Sequence, residues 1–245
     1  MALPKHRMTS YYGGFPDGVK WLLVVNTVVF VLLYVGGDAV WQHFKLLSLV
    51  PALTVNQFPY FVWQLFTYMF LHRGLTHWLF NMLGLWMFGA PIEQDWGTRR
   101  FLKYYLLCGV AAGCCDAGLR MVVGDPSIGT IGASGAIYGL LVAFGLLYPE
   151  APVLMFLLFP MKAKHMVMIF AGIEFLMTLG PNNGVSSIAH LGGMAFGYLY
   201  LKRRLPAVRL PDFGGAYRQW KLKRAKRKFQ VYLRRNGGGR GPWVN

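Results

Sequence analysis

Residues 132–148 read GASGAIYGLLVAFGLLY, a serine among small residues followed by an uncharged apolar run. Such a run is typical of a helix surrounded by lipid or by other apolar helices. A second apolar block downstream carries His190 near its start. A serine hydroxyl is a weak nucleophile until a base takes its proton, and histidine is the usual base near neutral pH. Because polar pairs inside apolar segments are costly, Ser134 and His190 predict a hydrolytic site.

Composition favours a membrane protein over an ordinary soluble domain. The chain has 245 residues, of which 55% are hydrophobic and 14% are charged, and its mean hydropathy is +0.39. Soluble domains carry about 25% charged residues. Six apolar blocks are expected to form helices: 20–36, 75–92, 101–118, 134–148, 165–180 and 187–201. The sequence therefore predicts an all-α, polytopic membrane protein with six transmembrane helices.

The fourth and sixth blocks are shorter than the roughly 20 residues that a perpendicular span needs. They are also the blocks that begin at Ser134 and close to His190. We expect their outer ends to open into a wet cavity, where a short span leaves no backbone exposed to lipid.

Lysine and arginine are concentrated in the two terminal segments and in the second and fourth loops, which predicts that both termini are cytoplasmic. Even-numbered spans then run from the outside inward. Ser134, His190, His77 and Asn81 consequently lie at one depth on the outer side. The predicted domains are a cytoplasmic N-terminus (1–19), a membrane domain (20–204) and a basic cytoplasmic tail (205–245).

Three segments outside the apolar blocks are predicted to lie at the membrane surface. Residues 37–74 are rich in aromatic side chains and are expected to lie in the outer membrane interface. The apolar stretch 153–160 is expected at the inner interface. The tail carries most of the net charge of +16, which favours contact with anionic lipid over binding to nucleic acid.

Ser134 and His190 each have a simpler explanation when taken alone. A serine before a helix is a favoured N-cap, and a lone membrane histidine often bonds a neighbouring helix. The neighbouring glycines favour the catalytic interpretation, since Gly132 and Gly135 permit a tight turn and close backbone approach. Two small-residue motifs, Gly135-x-x-x-Gly139 and Gly193-x-x-x-Gly197, indicate that the two helices pack closely and bring His190 to Ser134.

His77 and Asn81 are four residues apart and so project from one helical face. An imidazole N–H and an asparagine amide are suitable donors for the oxyanion of acyl transfer, while hydrogen bonding between helices explains them equally well. Asp116 and Glu174 are the acids inside the blocks. Asp116 lies toward the outer end of its block and is within predicted reach of the site, whereas Glu174 fits a structural hydrogen bond. A Ser-His dyad is the simpler prediction, with Tyr138 stacking on the imidazole.

The three cysteines lie in one apolar block, so we expect packing thiols, with no disulfide, metal site or cofactor. Three motifs in fixed order resemble those of the rhomboid family of intramembrane serine proteases over about residues 60–204. They are His77-Trp-Leu-Phe-Asn81, Gly132-Ala-Ser134-Gly135-Ala-Ile-Tyr138-Gly139 and Ala189-His190-Leu-Gly-Gly193-Met-Ala-Phe-Gly197.

The resemblance implies a six-helix fold that hydrolyses peptide bonds in or next to transmembrane segments of substrate proteins. It assigns Ser134 as nucleophile, His190 as general base, and His77 and Asn81 to the oxyanion hole. One position departs from the family pattern, because the usual Trp-Arg of the first loop is Trp63-Gln64 here, and glutamine lacks the donor fork of arginine.

Two other classes of function stay open at this point. A catalytically inactive rhomboid-like binder or chaperone of membrane proteins is the alternative, and a transporter is the third. The short N-terminus without a transit-peptide pattern favours a bacterial cytoplasmic membrane.

Overall fold

A computed structural model describes residues 15–44, 62–123, 127, 129–155, 159–180, 187–204 and 221–227. Its helices are α1 (Asp17–Phe44), α2 (Gln64–Thr67), α3 (Leu75–Trp96), α4 (Thr98–Val123), α5 (Ser134–Leu147), α6 (Ala163–Thr178) and α7 (Ser187–Arg204), with a 3₁₀ turn at Tyr68–Phe70. Two strands, β1 (Pro152–Met155) and β2 (Phe159–Lys162), precede α6. The chain divides into two units, 1–204 and 205–245, and a short helix covers 221–227 in the second.

Each of the six apolar blocks coincides with a helix of at least 14 residues, and the largest difference in bounds is at the end of the first block. The helix α1 continues beyond residue 36 to Phe44 through a kink at Gly37, whose φ of 57° interrupts the helical backbone. The predicted interfacial segment therefore begins as a continuation of α1. Residues 45–61, which contain much of its aromatic cluster, lie outside the described residues.

By length and composition, two described helices are able to cross a membrane, over Asp17–Val40 and Thr98–Val122. The helix α5 is apolar but has 14 residues, fewer than a perpendicular span needs. Large apolar side chains are exposed along α1 and α6, including Val28, Leu32, Phe175 and Leu176. Exposed apolar faces of this size suit contact with lipid.

The described part of the stretch predicted to lie at the inner interface belongs to two paired strands. The strands β1 and β2 pair antiparallel, with Val153 opposite Met161. Along β1 the side chain of Val153 is buried while those of Pro152 and Leu154 are exposed, which is the alternation of a strand with one covered face. The sequence analysis identified only the apolar character of this stretch and predicted no strand.

Helix α5 is the most enclosed element of the described membrane unit. Ten of its residues are buried, among them Gly135, Gly139 and Leu140. Helix α7 packs directly on its glycine face: a Cβ added to Gly193 would fall on the carbonyl oxygen of Gly135, and one added to Gly197 would lie 3.2 Å from Cα of Gly139. Side chains between these helices would hold them apart, so the glycines set their separation.

The buried carboxylate of Glu93, near the end of α3, fixes the start of α1. It accepts the backbone N–H groups of Gly18 and Val19, each at 2.7 Å, and the hydroxyl of Thr98 at 2.6 Å. The free N–H groups of a helix N-terminus attract negative charge, and this carboxylate satisfies two of them.

Glu93→Gln is expected to lower the free energy of unfolding by about 2–3 kcal/mol, because hydrogen bonds to a charged group lose their ionic component. Chemical denaturation in detergent micelles measures the change. Gln94→Ala, at the exposed neighbouring position, is the control and should change stability by less than about 0.5 kcal/mol. Equal denaturation midpoints for Glu93→Gln and Gln94→Ala would contradict this role.

Candidate active site

Ser134 and His190 are in hydrogen-bonding contact. The Ser134 Oγ and His190 Nε2 atoms are 2.7 Å apart, although 56 residues separate them along the chain. Ser134 is the first residue of α5, and the N-cap position belongs to Ala133, which makes no side-chain capping bond. The serine hydroxyl therefore faces the imidazole, and the helix-cap explanation does not describe this serine.

The imidazole of His190 is held on two sides. The Tyr138 ring, one turn after Ser134, stacks on it with centroids 4.3 Å apart and an angle of 10° between the planes. On the other nitrogen, Glu174 Oε1 lies 3.0 Å from Nδ1, in a contact poorly aligned for a linear hydrogen bond. The Tyr138 hydroxyl donates a hydrogen bond to the same Glu174 oxygen. The sequence analysis expected the stack but gave Glu174 a structural role.

The other acid considered from the sequence, Asp116, is occupied elsewhere. Its Oδ2 atom lies 3.0 Å from Arg120 Nε and accepts the Thr130 hydroxyl at 2.5 Å. Both Asp116 and Arg120 are buried. The structure therefore brings Glu174, and not Asp116, to His190.

A cavity of about 650 Å³ lies beside Ser134, at the end of the bundle where α3, α5 and α7 begin. It is lined by Tyr68, Arg73, Thr76, His77, Phe80, Asn81, Thr130, Ile131, Gly132, Ser134, Gly135, Ala189, His190 and Gly129. The four polar residues singled out from the sequence therefore border one space.

His77 and Asn81 contribute different groups to this cavity. The Gly132 backbone has a φ of +115°, and a Cβ added there would come 2.7 Å from His77 Nε2. Glycine is therefore needed both for the turn and for the approach of the imidazole. The Asn81 amide donates one N–H to the His77 carbonyl at 2.7 Å, which leaves its second N–H for another acceptor.

Tyr68 anchors the segment that leads into Ser134. Its carbonyl accepts the Gly132 N–H at 2.9 Å, and its hydroxyl donates to the Gly109 carbonyl at 2.7 Å. The sequence analysis missed this residue, because its partners are backbone atoms distant in the sequence and no motif marks them.

Residues 60–206, more than half of the chain, match the family model of the Rhomboid domain. The chain belongs to the rhomboid family. It is consequently a mostly helical integral membrane protein, as the sequence predicted at this level.

The rhomboid resembles proteins from plants and a bacterium. It is 30% identical to Rhomboid-like protein 16, chloroplastic, of Arabidopsis thaliana over 227 residues, which cover 78% of this chain and 67% of the relative. It is 29% identical to RHOMBOID-like protein 12, mitochondrial, of the same plant, covering 73% and 56%. It is 32% identical to Rhomboid protease GluP of Bacillus subtilis, covering 56% and 25%.

The rhomboid spans about half to two thirds of the length of the first curated relatives that it matches. Relatives from chloroplasts and mitochondria stand beside the bacterial one, so the comparisons give no support to the predicted bacterial membrane.

The described part of the first loop of the rhomboid contains two buried polar side chains: Gln64, which stands where the family pattern has arginine, and His72. Gln64 is completely buried at the start of α2. His72 is also buried, and its ring packs against that of His77 with centroids 5.1 Å apart. Burial, with a smaller contribution from His77, lowers the pKa of His72 to about 3 from an ordinary 6.5.

This pKa predicts a loss of stability in acid. Below pH 6.5 the unfolded chain binds a proton at His72 that the folded chain refuses until about pH 3. The free energy of unfolding should therefore fall by up to about 1.4 kcal/mol per pH unit across that window, and His72 should contribute no pH dependence above it. His72→Phe should flatten the dependence of Tm on pH between 6.5 and 3 in detergent. His165→Phe, at an exposed histidine on α6, should retain the wild-type slope; equal slopes in the two variants would refute the assignment.

Proposed function

We propose that this rhomboid is an intramembrane serine endopeptidase that cuts peptide bonds in or next to transmembrane segments of other membrane proteins. The observation that carries the proposal is the 2.7 Å contact between Ser134 Oγ and His190 Nε2 beside a cavity. An inactive rhomboid-like binder would have no need of an aligned nucleophile and base.

Catalysis begins with transfer of the Ser134 hydroxyl proton to Nε2 of His190 as Oγ attacks the substrate carbonyl. The carbonyl electron pair moves onto oxygen, and the oxyanion is held by the Ser134 backbone N–H, His77 and Asn81. The Ser134 N–H is suited to this because it lies in the first turn of α5, where N–H groups have no partner within the helix. Collapse expels the amine, which takes the proton from Nε2, and water from the cavity then hydrolyses the acyl-enzyme.

The proposed substrate is a single-pass membrane protein whose helix unwinds locally to present an extended backbone. The fully closed backbone of an α-helix has no carbonyl accessible to a serine, so helix-destabilising segments with a small residue before the cut are favoured. The cavity of about 650 Å³ beside Ser134 leaves room for such a chain. No metal or organic cofactor enters the chemistry.

The proposal includes six membrane crossings, by α1, α3, α4, α5, α6 and α7, with both termini cytoplasmic and the cavity at the outer side. The distribution of lysine and arginine supports this orientation. The short helix α5 is accommodated because other helices, and not lipid, surround it. The basic tail lies near anionic lipid in this arrangement.

Asn81→Ala is expected to lower turnover by roughly 10²-fold, which is typical for loss of one oxyanion donor. Its Tm should stay close to that of the wild type, since Asn81 bonds its own helix and not a neighbour. Steady-state cleavage and thermal unfolding measure the two effects. Unchanged turnover would remove Asn81 from the oxyanion hole.

The proposed function is tested by reconstituting the purified protein in liposomes with a panel of single-pass membrane proteins. Mass spectrometry of the products locates each cut. We expect wild-type protein to cleave at least one panel member in or beside its transmembrane segment, and Ser134→Ala to leave all of them intact. Intact substrates with wild-type protein, or equal cleavage by Ser134→Ala, would support the non-catalytic alternative.

A further inference from the structure

We infer that Glu174 is the third member of a Ser-His-Glu arrangement and positions His190 for proton transfer. The inference rests on the proposed function and deepens it, because it adds a carboxylate to the predicted dyad. It starts from a contact between two helices: Glu174 lies four residues before the end of α6, His190 is in the first turn of α7, and 3.0 Å separates Oε1 from Nδ1.

The environment of Glu174 requires a partner for its charge. The residue is 4% exposed, and a buried carboxylate is strongly disfavoured unless it is paired and hydrogen-bonded. In the part of the chain that the structure describes, the basic group at ion-pair distance from it is His190. The Tyr138 hydroxyl donates to the same oxygen and Ser187 also approaches the carboxylate. Several elements thus fix the carboxylate against the imidazole.

This position gives Glu174 two effects on His190. In the resting site, an acceptor beside Nδ1 favours the tautomer with its proton on Nδ1, so that Nε2 is free to accept the Ser134 proton. When Nε2 takes that proton, the imidazolium faces a carboxylate across 3.0 Å and is stabilised. Glu174 itself gains and loses no proton. The imperfect alignment of the contact is common before substrate binds.

Tyr138 contacts both His190 and Glu174. Its ring stacks on His190 while its hydroxyl binds Glu174, so one side chain on α5 fixes both the plane of the base and the position of its acid. A glutamate that served packing alone would need neither this bond nor the proximity to Nδ1.

The test measures phosphonylation of Ser134 by a fluorophosphonate probe, separating the maximal rate from the half-saturating probe concentration. Glu174→Gln keeps the size of the side chain and removes the charge. We expect its maximal rate to fall by roughly 10²–10⁴-fold, as for the corresponding amide substitution in serine proteases with an acid in the triad. The half-saturating concentration and Tm should change little, since Glu174 is not among the residues that line the cavity.

The pH dependence of labelling supplies a second readout. Without the carboxylate the imidazolium is less stable, so the acidic limb of the profile should move to lower pH. The other titratable groups facing His190 are Tyr138 on α5 and His77 on α3. On α4, Cys115 packs against Gly192 and Asp116 is held by Arg120 and Thr130. These groups are the same in Glu174→Gln and in the wild type.

Asp95→Asn is the matched control, because Asp95 is a carboxylate that accepts a tyrosine hydroxyl, that of Tyr148, away from the cavity. It should label at the wild-type rate. A wild-type rate and pH profile for Glu174→Gln would overturn the inference and leave Ser134 and His190 intact as a dyad. Absence of labelling in the wild type would instead overturn the proposed function, and this inference with it.

If Glu174→Gln does not fold, the same measurements are made on Glu174→Asp. The shorter side chain keeps the charge and withdraws it by one methylene, so the maximal rate should fall at least tenfold while the half-saturating probe concentration stays within about threefold of the wild type. A wild-type maximal rate for Glu174→Asp would also overturn the inference.

Discussion

We expect His190→Ala to lower the turnover of a transmembrane substrate by roughly 10⁴-fold or more. The hydroxyl of Ser134 then has no base at 2.7 Å to take its proton. When two catalytic residues act as a unit, the loss of activity in the double variant is smaller than the product of the losses in the single variants. The double variant Ser134→Ala/His190→Ala should therefore be no less active than either single variant.

Steady-state cleavage in liposomes measures all three variants together with the wild type. His165→Ala is the control for removal of a histidine from the apolar helices, since this side chain is exposed on α6. It should retain wild-type turnover. If the losses in the double variant multiply, Ser134 and His190 act independently and the proposed proton transfer is wrong.

Gly193→Ala has the second-largest expected effect, and it tests how the fold delivers the base. The added methyl group would fall on the Gly135 carbonyl oxygen, an atom of the buried backbone of α5 that has no side-chain freedom to move away. Overpacking in a buried site typically costs about 1–3 kcal/mol of stability. Separation of α7 from α5 also moves His190 away from Ser134, so turnover should fall by at least about 100-fold.

Gly172→Ala provides the matched control, because a Cβ added to this helical glycine on α6 has nothing within 4 Å. Alanine is the better helix former, so the free energy of unfolding should stay unchanged or rise by up to about 1 kcal/mol. Cleavage rate and Tm are measured for both variants. Wild-type values for Gly193→Ala would show that close glycine packing does not set the site.

The sequence predicted six helices and four polar residues that border the cavity, because both leave local signals. An apolar block of 15 residues or more has few alternatives to a helix, and glycines at four-residue spacing mark close helix packing. The order of the blocks and the distribution of lysine and arginine then predicted that Ser134, His190, His77 and Asn81 lie at one depth.

Other features depend on contacts between distant segments and left no such signal. The bond between Tyr68 and Gly132 joins two backbone positions 64 residues apart in the chain. The strands β1 and β2 come from one apolar stretch in which no glycine, asparagine or aspartate marks a change of direction. Glu174 was visible as a charge inside an apolar block and was expected to make a structural hydrogen bond. Only the packing of α6 on α7 identifies His190 as its partner.

The central claim is that Ser134 is an activated nucleophile, and covalent labelling tests it most directly. Purified protein in detergent is incubated with a fluorophosphonate probe, and peptide mapping by mass spectrometry locates the adduct. The account predicts one phosphonyl group on Ser134 in the wild type and none in Ser134→Ala. Absence of an adduct in folded wild-type protein, or equal labelling of Ser134→Ala, would contradict it.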